Sequence, residues 1–422
     1  MALDLTRKHG DGWSRESKAL IYPAGSVAGY GLMRSLGLAG VPVVALSAKR
    51  CDSFYSRYPR ERLIVPDPLQ NHIAFVEWLA DYGRRQDSRP VLFMAEDVYA
   101  YIVSAYQDQL AGHCLYPYLP VNNLERFFSK DIMLSCAERA GLPVPRWIAR
   151  PTHDQLEGWQ DFPAVVRPLV SRFTFKNGEL RDVVAFPRAF GGKAIRADDR
   201  ESLVWAAHAV EDLGIEYFVQ KMILAPNSDL VSFKFVADGD HAVPSAFIGR
   251  KIRQHPADFG TCVVGRADYV DAVFDEGLRF VRESEYVGGG MIEFLWSEED
   301  RRWYFIELNP RLDYWAGIAV NRGVNLPLQQ YLLSTGQSLL DVRQRDGGRY
   351  WIDVACDLRA LRCRRRMRDW PISVCEMIRP YLYFNEAVFN WRDPLPGVLR
   401  LIRPCAGRAA RWLLRRSRIR GQ

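Results

Sequence analysis

No stretch of the 422-residue chain approaches the roughly 20 uninterrupted apolar residues that cross a bilayer, so a membrane-spanning helix is not expected. The N-terminus is equally short of an apolar run. Asp4, Arg7, Lys8, His9 and Asp11 crowd the positions where a signal peptide would carry one, and a cytoplasmic location is the expectation that follows. Cysteine is sparse: the eight thiols (Cys51, Cys114, Cys136, Cys262, Cys356, Cys363, Cys375 and Cys405) include no CxxC pair. That scatter argues against a zinc knuckle and against a disulfide framework, and leaves free, mostly buried thiols. There is no internal repeat and no low-complexity linker. The glycine loop Gly25-Ser26-Val27-Ala28-Gly29-Tyr30-Gly31 lacks GxGxxG spacing, and no clear ribose-binding acid ends the strand after it, which argues against a dinucleotide site. Acid is missing from residues 396–422, which hold eight arginines; subtracting these from the net +7 leaves the rest of the chain at −1. The basicity is therefore local and needs a local explanation.

What remains is an ordinary globular composition, 48% hydrophobic and 25% charged, in a chain long enough for roughly two or three cores. A strand at Ala19–Tyr22, a helix through Leu32–Leu36 ended by Gly40 and a buried strand Val41–Leu46 give the rhythm of a parallel α/β sheet. Arg62–Val65, a helix around Ile73–Gly83 and a strand Val91–Met94 continue it, so residues 1–120 read as one open α/β domain. Ser129–Gly141 is an amphipathic helix stopped by Gly141, Pro143 and Pro145. Beyond residue 150 the texture changes. Strands are expected at Phe162–Pro168, Ala194–Arg196, Tyr217–Ile223, Leu230–Ala237, Ala242–Ile248, Gly290–Leu295 and Trp303–Leu308, with a helix at Glu201–Leu213, and the strands suggest one antiparallel sheet. From about residue 338 the chain turns arginine-rich and aromatic.

The chemistry concentrates on Glu293 and, one strand later, Glu307 and Asn309. Strand side chains repeat every two residues, so Glu307 and Asn309 share a face, and a hairpin would set Glu293 opposite them. Two carboxylates and an amide oxygen form a hard, all-oxygen donor set suited to magnesium. Glu293 lies in the apolar run Met291-Ile292-Glu293-Phe294-Leu295, where a lone buried carboxylate would be costly. Arg311 continues the alternation and is placed to hold a phosphate or developing oxyanion. A second cluster, Gly249-Arg250-Lys251-Ile252-Arg253-Gln254-His255, reads as a basic strand end, with Lys251 and Arg253 on one face by alternation.

At these residues the chain resembles the ATP-grasp superfamily. Glu293 and the run Phe305-Ile306-Glu307-Leu308-Asn309-Pro310-Arg311 look like its metal-binding end. Ser129-Lys130-Asp131 resembles the segment whose lysine touches ATP phosphates, and Phe162–Pro168 the strand that usually ends in a second phosphate-binding lysine, here Arg167. Phe218–Ile223 resembles the hinge where Gln220, Lys221 and Met222 face adenine, and Asp229 is the candidate for the ribose hydroxyls. The segment Leu169–Phe190, ending in Gly191-Gly192-Lys193, stands where the family closes a short glycine-rich loop over phosphate, with Lys193 assisting; a plain hairpin is the other reading. The resemblance spans about residues 15–335.

It implies an α/β (α+β) protein: an open parallel N-terminal domain (1–120), a two-subdomain ATP-grasp fold with an antiparallel sheet (121–337) and a basic, aromatic extension (338–422). The implied cofactors are ATP and Mg2+, with Mn2+ as a substitute. The implied reaction joins a small-molecule carboxylate to an amine through an acyl phosphate neutralised by Lys251 and Arg253, in the manner of D-aspartate ligase-like carboxylate–amine ligases. A non-catalytic ATP-binding scaffold of the same fold is the first alternative, and an NAD-type oxidoreductase the second. The tail mixes its arginines with Leu399, Leu401, Ile402, Trp412, Leu413, Leu414 and Ile419, and Arg362, Arg364, Arg365, Arg366 and Arg368 form a second cluster. Such segments fit an anionic membrane surface (a peripheral position at the inner face), a solvated helix, or pairing with acids elsewhere. No reading motif points to nucleic acid.

Overall fold

The computed structural model describes residues 15–402, except 117–120, 171–172, 177–178, 183–184, 226–228, 257–258, 316, 346, 348–349, 365–373 and 383. The chain opens with four strands, β1 (Ala19–Tyr22), β2 (Val43–Ser47), β3 (Pro59–Ile64) and β4 (Val91–Met94), paired in parallel in the order β3-β2-β1-β4. Strands β1, β2 and β4 are buried along their whole length, which is why they read as continuous apolar runs rather than alternating ones. Ser26 caps the helix Val27–Leu38 by accepting from the Gly29 amide. A Cβ on Gly29 would sit 2.2 Å from the Pro23 carbonyl oxygen, so only glycine lets that helix start so close to the end of β1.

The expected single antiparallel sheet is instead two. Strands β5 (Trp147–Ala149), β6 (Ala164–Pro168), β9 (Ile195–Ala197) and β10 (Tyr217–Lys221) form a four-stranded sheet in the order β5-β10-β6-β9, with its own core of Leu156, Trp159, Val166, Leu203 and Tyr217. Between β6 and β9 lie a two-stranded hairpin, β7 (Phe173–Lys176) with β8 (Glu179–Asp182), and the helix Ala185–Phe190. The other strands, β11 (Leu230–Ala237), β12 (Ala246–His255), β13 (Thr261–Ala267), β14 (Gly288–Ser297) and β15 (Arg302–Asn309), join β16 (Tyr350–Ile352) and β17 (Phe384–Glu386) in a seven-stranded sheet. Its order is β15-β14-β11-β12-β13-β16-β17. Alternation marks a strand without naming its partner, so the break between β10 and β11 left no mark in the pattern.

One face of the large sheet packs on the helices Lys130–Arg139 and Asp271–Glu283 through Met133, Phe233, Phe280, Ile292 and Phe305. The other shares a core with the first domain, in which Met33 and Leu36 meet Trp315, Tyr331 and Trp351. Of the basic tail, Arg400 turns inward onto Asp353 (2.8 Å), so it pairs with an acid rather than lying solvated. Residues 403–422 and Arg365, Arg366 and Arg368 lie outside the described residues. Among the described residues no helix is long and apolar enough to cross a membrane.

Trp315 is wedged beneath this junction, only 2% exposed. A Cβ on Gly265 would stand 2.4 Å from its ring, and one on Gly249 2.9 Å. Gly265→Ala should therefore overpack a ring that has no room to move and destabilise the protein by about 1–3 kcal/mol. Urea denaturation checks this; an unchanged midpoint would mean that the ring can shift.

Candidate active site

The hairpin of β14 and β15 places Glu293 directly opposite Glu307, and Met291 opposite Asn309. Opposed residues in an antiparallel pair project to the same side, so both carboxylates face one cavity of about 230 Å³. A bulge follows. Phe294 pairs with Phe305, which leaves Ile306 unpaired and puts both Ile306 and Glu307 on the cavity side.

Glu307 is the meeting point of three segments. One of its oxygens accepts from Lys130 Nζ (3.1 Å), at the start of the helix Lys130–Arg139, and from Arg167 Nη2 (2.9 Å) at the end of β6. The other faces Asn309 Nδ2 at 3.5 Å. Burial pushes the Glu307 carboxyl up, yet the charges of Lys130, Arg167 and Lys193 hold it well below the usual carboxylate range. Glu293, 9% exposed, ion-pairs with Lys251 Nζ at 3.0 Å. Burial works against the charged form of that lysine, but the Glu293 charge and hydrogen bond, together with the Cys262 and Glu307 charges, outweigh it, so Lys251 is raised above its ordinary value.

At the far end of the cavity lie Gln220, Lys221, Met222 and Ile223, where β10 leaves its sheet. Gln220 is 4% exposed, and its Nε2 is a buried donor with no hydrogen-bond partner among the described residues. An unpaired buried donor costs about 1–3 kcal/mol, which a ligand acceptor would recover. A second cavity of about 500 Å³ opens toward the first domain, reaching Ser26, Glu96, Asp97 and Tyr99. The two share Arg167, Lys193, Thr261, Glu307, Asn309, Arg311 and Tyr314. Lys193 follows Gly191, whose φ is +69°, just beyond the helix Ala185–Phe190. Arg311 is clamped by Asp97 of the first domain, with Nε 2.6 Å from Oδ1 and Nη2 3.1 Å from Oδ2.

Two of the sequence candidates are brought to neither cavity. The cluster containing Arg253 forms the C-terminal end of β12, and its register slips between Lys251 and Arg253 and again before Gln254. The extra residue, Ile252, breaks the alternation. Lys251 and Gln254 line the cavity, whereas Arg253 points to the other side, where Asp357 holds it through Nε (2.8 Å) and Nη2 (2.7 Å). Asp229 lies just before β11, half-buried beside Arg250 and outside the cavity lining, its carboxyl pushed up by burial.

Sequence reasoning missed Asp97, Asp313, Tyr314, Trp315 and Lys234. Lys234, 1% exposed, donates to Asp313 at 2.8 Å, and its ammonium sits 3.4 Å from the centre of the Trp315 ring. Both had a signal. Asp313 extends the two-residue step of Glu307, Asn309 and Arg311, and Lys234 is a charge inside the otherwise apolar β11. Removing one partner of such a pair strands the other, so Asp313→Ala should cost about 3–5 kcal/mol. Lys234→Met with Asp313→Leu should cost clearly less, by urea denaturation; a double variant as unstable as Asp313→Ala would mean that the loss comes from packing.

Residues 264–342 match the family model described as the carbamoyl-phosphate synthase L chain, ATP binding domain. An acetyl-CoA carboxylase of Cryptosporiopsis sp. is 30% identical over 158 residues, 35% of this chain, and the Saccharomyces cerevisiae acetyl-CoA carboxylase 29% over 155. The chain spans only 7% of the length of either. Among solved structures, the biotin carboxylase domain of Hydrogenobacter thermophilus 2-oxoglutarate carboxylase, in complex with MgADP, ADP and bicarbonate, superposes with a TM-score of 0.60 at 15% identity, covering 80% of this chain and 74% of that one. N5-carboxyaminoimidazole synthetase of Staphylococcus aureus gives 0.60 at 14%, covering 84% and 87%. The L-amino acid ligase of Bacillus licheniformis gives 0.56 at 16%, covering 78% and 76%. At these identities the likeness is one of fold.

Proposed function

We propose that this chain, which has the ATP-grasp fold, is an ATP-dependent ligase that activates a substrate carboxylate as an acyl phosphate and couples it to an amine. The observation that carries the reading is the opposed pair Glu293 and Glu307, set with Asn309 in a cavity also lined by the cations Arg167, Lys193, Lys221, Lys251 and Arg311. Gln220, Lys221 and Met222 would receive the adenine end, and Lys130, Arg167 and Lys193 the phosphates. Glu293, Glu307 and Asn309 would hold magnesium, or manganese in its place, and the bound ion would offset phosphate charge and align the transferring group.

The carboxylate oxygen attacks the terminal phosphorus and ADP leaves; the amine then attacks the acyl carbon and phosphate leaves. Arg311 lies where the two cavities join, so its guanidinium is placed to stabilise the charge on those oxygens. Positioning and charge neutralisation do most of the catalysis. The partners are thus a small-molecule carboxylate and an amine, with the larger cavity as the acceptor side. Bicarbonate as the acid is a second reading, favoured by the acetyl-CoA carboxylase relatives and by the bicarbonate bound in the Hydrogenobacter thermophilus domain.

The test is ADP release with Mg-ATP across a panel of amino acids, sugar acids and bicarbonate. An acceptor-stimulated rate is expected, falling by about 10²-fold or more in Glu307→Gln, with an unchanged circular-dichroism spectrum. Retained turnover in that variant would remove the metal assignment. Nucleotide binding with no ADP release for any acceptor would favour a non-catalytic scaffold of the same fold.

A further inference from the structure

Tyr314 is one of the wall residues at which the two cavities meet, and its position is fixed from outside the site. Its hydroxyl donates to Asp353 Oδ2, so its hydrogen-bonding capacity is directed away from the cavities and it offers them its ring. That ring lies edge-on to Trp351, centroids 5.8 Å apart. Trp351 and Asp353 flank the end of β16, beyond the region of sequence resemblance. Asp353 is fully buried and accepts from the Cys356 amide (3.1 Å) and from Arg400 Nη2 (2.8 Å), 47 residues further along the chain's C-terminal segment.

The same segment grips the first domain. Asp393 accepts from Tyr30 Oη (2.5 Å), Ser56 Oγ (2.8 Å) and the Arg57 amide (2.9 Å), and the Val388 carbonyl accepts from Arg34 at 2.5 Å. One continuous stretch therefore holds both Tyr314 and the domain that carries Ser26 and Asp97, the opposite wall of the larger cavity. We propose that Asp353 and Arg400 are positioning residues that set the Tyr314 ring between the nucleotide and acceptor cavities, so that the C-terminal segment completes the acceptor site. The inference rests on the ligase reading for the identity of the acceptor, but not for the geometry.

Two consequences separate positioning from mere stability. A ring displaced at the junction misaligns the acceptor and leaves the hinge untouched, so Tyr314→Phe and Asp353→Asn should each lower kcat/KM for the acceptor about tenfold or more while the nucleotide Kd stays within about twofold. Both variants cut the Tyr314–Asp353 hydrogen bond, and Asp353→Asn also weakens the Arg400 pair, so the double variant should lose no more than Asp353→Asn alone. Arg400→Gln should behave like Asp353→Asn, and Arg400→Lys should recover part of the loss. Tyr314→Phe keeps the Asp353–Arg400 pair and serves if the other variants fail to fold.

Hydrogen exchange gives the readout that needs no turnover. Asp353→Asn should speed exchange in the peptide covering residues 311–320 and leave 217–223 unchanged. Additive losses in the double variant, nucleotide affinity falling in step with acceptor kinetics, or unchanged exchange at 311–320 would each overturn the proposal. If wild-type protein released no ADP with any acceptor, the ligase reading would fail, and the exchange arm alone would decide the positioning role.

Discussion

Glu307 carries a negative charge in the cavity wall, its side chain only 18% exposed, and the site is assembled around compensating it. Its two cationic partners come from different places in the chain: Lys130 from the helix before the small sheet and Arg167 from within that sheet. A buried carboxylate without such partners would be several kcal/mol too costly to keep ionised. The hairpin, the helix and the small sheet therefore meet at a single side chain. The neighbouring pair of Glu293 with Lys251 repeats the arrangement one strand away.

This pairing has a consequence for binding. The walls carry acids and bases that neutralise each other at distances of about 3 Å. In the proposed reaction a polyanionic nucleotide and a divalent cation would exchange these partners, the bases turning to phosphate and the acids to the metal. Such a site keeps its shape before binding, which lowers the cost of ordering it afterwards. Arg311 and Asp97 form a similar pair across the boundary with the first domain, so a charge that develops beside Arg311 is felt by both domains.

Beneath the cavities, Trp315 joins the Lys234–Asp313 pair to the close-packed glycines of β12 and β13. The C-terminal segment closes the other side through Trp351, Asp353 and Asp357. Arg253 belongs to this support rather than to the cavity: its guanidinium, 2% exposed, is matched by an Asp357 that is fully buried. The segment that looked least informative in the sequence thus lies against Tyr314 and Trp315 in the cavity wall and against Arg253 behind it.

The sequence by itself determined many of the strands and where charge interrupts them. β1, β4 and β11 run between the residues that the apolar pattern marks, and the two-residue step from Glu307 to Arg311 was visible because a strand repeats every two residues. Local pattern carries that information, since burial of one face or of both is written directly into neighbouring positions. Partners and irregularities are not written there. The division into two sheets, the bulge at Ile252 that turns Arg253 away, the clamp of Asp97 on Arg311 and the reach of Arg400 to Asp353 all depend on contacts between residues far apart in the chain. Only the folded packing decides them, because a single inserted residue or a distant counter-charge changes where a side chain points without changing the pattern around it.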